Sequence, residues 1–167
     1  WVDDAMVSID EKTLIDQINS LKVYAMLLSH SKVGEMDARL VENLGVAMRW
    51  IRSLLKSKKN FQHEKTMDMI KDLMFFIQAY GRENEMVMLD DLVVQSMDTL
   101  SKIVSEDGLT EKTALSIISV LSTLREVGKE PDLRNLQNLV FEFYSGKKEK
   151  KCPEDLALKV FSLLNFG

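Results

Sequence analysis

Apolar residues recur along this chain every three or four positions, with polar residues between them. That period matches the 3.6-residue turn of an α-helix, not the strict alternation of a half-buried strand. Seven amphipathic helices follow from it. The first opens at Ser8, with Glu11 three residues on as a capping box, and runs to about His30 on Leu14, Ile18, Leu21, Ala25 and Leu28. Gly34 breaks it. The second spans about Met36 to Lys58, on Leu40, Leu44, Met48, Ile51 and Leu55. The third spans about Gln62 to Tyr80 on Ile70, Leu73, Met74 and Ile77, widened by Met69, Phe76 and Tyr80, and ends at Gly81.

The fourth helix runs from about Glu85 to Ser105 on Met86, Leu89, Val93, Met97, Leu100 and Val104. The turn SEDGLT supplies Thr110 as N-cap of the fifth, which uses Ala114, Ile117, Ile118, Leu121 and Leu124 and stops at Gly128. Pro131 suits the first turn of the sixth, with Leu133, Leu136, Val140 and Phe143. SGKKEKK reads as a solvated loop. Pro153 then opens the seventh, on Leu156, Val160 and Leu164. Short connections of this kind make consecutive helices pack antiparallel. The apolar surface of the third and fourth covers more than half their circumference, so each needs burial on two sides.

The chain also resembles itself. LMFFIQAYGRENEMVMLDDLVV, residues 73 to 94, aligns with VLSTLREVGKEPDLRNLQNLVF, residues 120 to 141, at an offset of 47. Gly81 falls on Gly128, Met86 on Leu133, Leu89 on Leu136 and Val93 on Val140. The tail VFSLLNFG echoes VLSTLREVG about 40 residues earlier. Each unit reads as a helix ending at a glycine, a short turn and a second helix. One such hairpin cannot hide its own apolar face, whereas stacked hairpins can, and stacking creates a surface for extended partners. From about residue 14 to 167 this pattern resembles the armadillo and HEAT class of helical repeats. The LREVG and LLNFG helix ends are also similar to the helical hairpins of organellar RNA-binding proteins. The resemblance to the first class implies an all-α right-handed solenoid; an irregular bundle of the same seven helices is the alternative. Neither class contributes a motif from which functional residues carry over.

Composition fits a single globular domain of 167 residues, and the start at Trp1 rather than Met fits a piece of a longer protein. The net charge of −4 argues against a dedicated nucleic-acid binder, although it leaves room for a local basic face. A single cysteine, Cys152, excludes an internal disulfide and a cysteine-based zinc site, and fits the reducing cytoplasm or nucleus. No apolar run reaches the roughly 20 residues of a membrane-spanning helix. WVDDAMVSID is acidic where a targeting peptide is basic.

No phosphate-cradling glycine loop is present, and no second histidine stands four residues from His63 as a zincin motif requires. His30 has only sequence-adjacent serines, which do not face it on a helix. Asp68 and Asp72 share a face but lack an apolar setting to separate their pKa values. Cys152 follows KKEKK and precedes a helix, a setting that lowers a thiol pKa and makes it a candidate reactive thiol. These readings leave no catalytic residue, cofactor or metal to expect. Arg49, Arg52, Lys56 and Lys59 recur at helical spacing as a basic stripe beside Trp50, which suits an acidic peptide or a phosphate backbone. The methionines of the third and fourth helices and the aromatics Phe75, Phe76, Phe141, Phe143 and Tyr144 read first as interior packing, and any exposed subset as a binding patch. The expectation is a non-catalytic scaffold module that binds a protein or peptide, with an acidic partner favoured and self-association as a further option. RNA binding through the stripe on helix two is the alternative.

Overall fold

The computed structural model describes residues 52, 55–62, 66–68, 70–71, 74–75, 78 and 83–166. Among them all regular structure is helical and no strand occurs, as an all-α chain requires. Five helices are defined: α1 Lys58–Phe61, α2 Glu83–Asp107, α3 Glu111–Glu126, α4 Arg134–Tyr144 and α5 Glu154–Leu163. The last four correspond to the fourth to seventh helices read from periodicity. The first expected helix lies outside the described residues.

The chain divides into two compact units, Trp1–Leu92 and Val93–Gly167. In the first, Leu55, Phe61, Met67, Ile70, Met74 and Leu89 are buried. Phe61 sits in α1, where the sequence pattern had only a connector. The Phe61 N–H reaches the Ser57 carbonyl at 2.8 Å, and this turn carries the ring into the interior.

α2 is about 37 Å long at 1.5 Å per residue. Its buried face carries Leu89, Val93, Met97, Leu100 and Val104 of the anticipated stripe, widened by Leu92, Ser96 and Ile103, but Val87, Met88 and Val94 are exposed, so the apolar surface is not buried on two sides as expected. At its end Gly108 takes a positive φ of 76°, and Leu109, almost fully buried, leads into the next helix.

In the second unit α3 is the central element. Thr113, Ala114, Ile117, Val120, Leu121, Thr123 and Leu124 are all buried, which occupies more than one face. Each fully buried aliphatic side chain contributes about 1.5–3 kcal/mol relative to exposure. The helix begins as anticipated: Thr110, in extended backbone, accepts the Thr113 N–H on its hydroxyl at 3.1 Å. It ends in a Schellman motif. The Lys129 N–H bonds the Leu124 carbonyl, the Gly128 N–H bonds the Arg125 carbonyl, and Gly128 sits at φ 81°.

α4 starts later than its proline suggested. Pro131 lies three residues before the first helical residue, Arg134. Leu133 is the N-cap of α4 and offers no side-chain cap, while the Asp132 carboxylate just before it accepts the Arg134 N–H at 3.0 Å. α5 opens directly after Pro153, whose carbonyl accepts the Ala157 N–H.

α3 and α5 pack side by side. At their N-terminal ends Thr110 pairs with Lys151 in a parallel bridge, and the Lys151 N–H donates to the Leu109 carbonyl at 2.9 Å. At their C-terminal ends the Arg125 guanidinium donates to the Leu163 carbonyl at 2.6 Å. Contacts joining like ends make the two helices run parallel. α4 is the return element between them, and its Gln137 carboxamide donates to the Leu164 carbonyl. The two helices whose ends echo each other in sequence are thus direct neighbours.

Candidate functional site

The end of α5 shows how local capping builds a surface. A helix C-terminus leaves its last carbonyls without intrahelical partners. Here the Leu164 N–H takes the Val160 carbonyl, Asn165 takes that of Ser162, and Phe166 takes that of Phe161. Arg125 and Gln137 take the next two. The closure is a second Schellman motif, with Asn165 at φ 65° in the role of Gly128. Asparagine tolerates the left-handed region better than most side chains. The motif folds Phe166 back over Phe161, their centroids 6.5 Å apart.

Phe166 thereby joins a cluster with α4. Tyr144 lies 5.2 Å from Phe166 and meets Phe161 edge-on at 4.9 Å. Phe141 lies 6.0 Å from Phe166 and 6.4 Å from Tyr144. Phe161 is buried beneath, but Phe141 is 52% and Tyr144 46% exposed. Phe143, from the same short run, is buried and its ring edge lies 3.6 Å from where a Cβ on Gly108 would stand. The aromatics read first as interior packing therefore split: Phe143 is core, Phe75 is exposed, and Phe141 and Tyr144 form an exposed patch, while Phe76 lies outside the described residues. Helical geometry explains the split, because Phe143 follows Leu136 and Val140 on the inner face.

The 145–151 loop borders this patch. It is solvent-exposed for most of its length, but its lysines are placed. Lys148 Nζ bonds Glu142 at 2.8 Å and lies 5.9 Å from the Phe143 ring centroid. Lys147 approaches the same carboxylate at 3.7 Å. Lys150 Nζ lies over Phe161 at 5.5 Å and pairs with Glu154 at 3.3 Å. The hydrogen bond from Lys148 holds the Glu142 carboxyl below its ordinary pKa. Arg134 does the same to Asp132 through a side-chain hydrogen bond, bringing it to about 2.

Of the expected basic stripe, Arg52, Lys56 and Lys59 are described, and all three are exposed. Arg49 and Trp50 lie outside the described residues. Arg52 Nε pairs with Asp91 at 3.1 Å, both side chains about half exposed. Lys56 is exposed on the helical segment that ends at a bend at Ser57, and Lys59 is exposed on α1 beyond it. His30, His63 and Asp72 also fall outside the described residues. Met67, Met74 and Met97 are core side chains, whereas Met88 is partly exposed.

Cys152 corrects an expectation. Its thiol is pushed above the ordinary value, first by burial, and Glu154, Asp155 and Glu111 add to the rise against Lys150. Lys150 does lower it, but burial outweighs that effect. Among the described residues no three metal-ligating side chains converge, and no helix is long and apolar enough to cross a membrane.

Sequence reasoning missed Phe166 and Asn165. The signal was present as an asparagine followed by an aromatic just past an apolar helix, which is the C′–C″ signature of a Schellman end. No protein-family model, no curated protein and no solved structure matches this chain.

Proposed function

We propose that this chain is a non-catalytic protein-interaction module that docks a peptide segment or partner subunit on the outward face of α4. One observation carries the reading: Phe141 and Tyr144 remain about half exposed while clustered with Phe166. Solvent-exposed aromatic clusters cost solubility, and exposed apolar patches recur at interaction sites. Aromatic side chains also supply the largest share of binding energy at protein interfaces. Hairpin stacking in the manner of armadillo and HEAT repeats fits the parallel pair α3 and α5 with α4 returning between them, and such stacking leaves the connecting helix free to face a partner.

Affinity capture from lysate tests this. Wild-type chain, the Phe141→Ser/Tyr144→Ser variant and a Lys102→Ser control, substituted at an exposed charged position of α2, are compared with and without nuclease. The expected result is a protein partner retained by the wild type and the control after nuclease, and lost from the double variant. Capture that disappears with nuclease favours the RNA-binding alternative. Light scattering at two concentrations checks self-association; a dimer abolished by Phe141→Ser assigns the patch to a second copy.

A further inference from the structure

We propose that the occupant of the α4 face is an acidic, hydrophobic peptide segment, with apolar side chains seated on Phe141 and Tyr144 and carboxylates directed to Lys148 and Lys150. The proposal deepens the docking reading and rests on it. Its support is the distribution of charge. The exposed positions of α4 are Arg134, Asn135, Asn138, Phe141 and Tyr144, with no carboxylate among them. Interfaces concentrate aromatics and arginine at their centres and thin out acidic residues there. The exposed positions of α5, by contrast, carry carboxylates, Glu154 and Asp155, together with Leu158, Lys159 and Ser162.

Lys150 is tied to this face through a shared ring, and Lys148 stands next to it on Glu142, a part-exposed carboxylate of α4. Phe161 carries the Lys150 ammonium at 5.5 Å and the edge contact with Tyr144 at 4.9 Å, so cation and patch are one ring apart. Lys148 is held over Phe143. The backbone bond from Lys151 to Leu109 anchors the end of the loop, and the ammonium groups are held by Glu142 and Glu154. Their present partners do not exhaust them. Each ammonium has three donors, and exposed ion pairs contribute only about 0.2–1 kcal/mol. A partner carboxylate can therefore share or displace Glu142 and Glu154 at little cost. A nucleic acid fits less well, because phosphate binding relies on concentrated Lys and Arg and the net charge of the chain is −4.

The test uses the full chain as bait for a random-peptide display library, with single-stranded oligouridylate as a separate probe. Enriched peptides are expected to combine aromatic or large aliphatic residues with Asp or Glu. Synthetic copies should bind the Lys148→Gln/Lys150→Gln variant roughly tenfold more weakly, and bind Phe141→Ser not measurably. Lys148→Gln alone, at an exposed side chain, gives the same direction should the double variant fail to fold by circular dichroism. Enriched peptides without net negative charge, or unchanged affinity after lysine replacement, overturn the acidic-partner proposal; the docking reading then stands if Phe141→Ser still abolishes binding. Peptides indifferent to Phe141, or no enrichment at all, overturn both. Oligouridylate bound through the same lysines overturns the proposal in favour of RNA.

Discussion

Replacing Thr110 with Ala removes two contacts from the start of α3 at once. The Thr110 hydroxyl accepts the Thr113 N–H at 3.1 Å and lies 2.9 Å from the Thr113 hydroxyl. Loss of the cap costs about 1 kcal/mol, rising to about 2 in protein hosts. Thr113 is fully buried. Stripped of its partner, its hydroxyl incurs a further desolvation penalty of about 1–3 kcal/mol. The single substitution is therefore expected to cost about 3 kcal/mol. Thr113→Val keeps the branched shape and removes the orphaned group. In that background Thr110→Ala loses only the cap, about 1 kcal/mol. The four proteins of this cycle are compared by urea unfolding followed by far-ultraviolet circular dichroism, with equal slopes required for comparison. The predicted coupling between the sites is about 1–2 kcal/mol. Additive costs would refute the reasoning, since they mean that the Thr113 hydroxyl finds another partner and Thr110 acts as a cap alone.

Other outcomes follow from the same geometry. Gly128→Ala places a Cβ in open space but at φ 81°, so its cost is conformational, about 1–2 kcal/mol, read as a lower urea midpoint; no change would contradict the Schellman assignment. Asn165→Gly should leave stability within about 0.5 kcal/mol, whereas the β-branched Asn165→Val should destabilise and, by freeing Phe166, alter the near-ultraviolet aromatic signal. Asp132 is held near 2 by Arg134, so its ion pair supports folding above the ordinary carboxylate pKa and is lost as pH falls from there through about 2. Carbon-detected NMR titration should find that carboxyl ionised at pH 3, and Arg134→Ala should return it to the ordinary range. Cys152 should alkylate more slowly at pH 8 than a free cysteine, because its raised pKa leaves less thiolate; faster reaction contradicts the burial argument.

How far the sequence could be read depended on the kind of signal. Helix identity was legible from Leu89, Val93, Met97 and Leu100 on α2 and from Ile117, Leu121 and Leu124 on α3, because a buried stripe must repeat with the helical period. The Thr110 cap and the Gly128 stop were legible because few residues do those jobs. Less visible were Thr113 and Thr123, buried polar side chains that an apolar pattern omits. Pro131 misplaced the start of α4 because the N-cap falls on Leu133, a residue type that no capping rule marks. The patch was the hardest part. Phe141, Phe143 and Tyr144 have similar hydrophobicity, and only the angular position of each on α4 separates core from surface. The contribution of Phe166 depended on a left-handed asparagine, and that of the lysine loop on rings distant in sequence.

The most direct test of the docking account is site-specific photocrosslinking. A photoreactive phenylalanine analogue is introduced at Phe141, and for comparison at Lys102 on α2, in otherwise intact chain exposed to lysate. The account predicts a discrete, nuclease-resistant crosslink to another polypeptide from position 141 alone. Equal labelling from both positions, or crosslinks from Phe141 only to RNA, would contradict it.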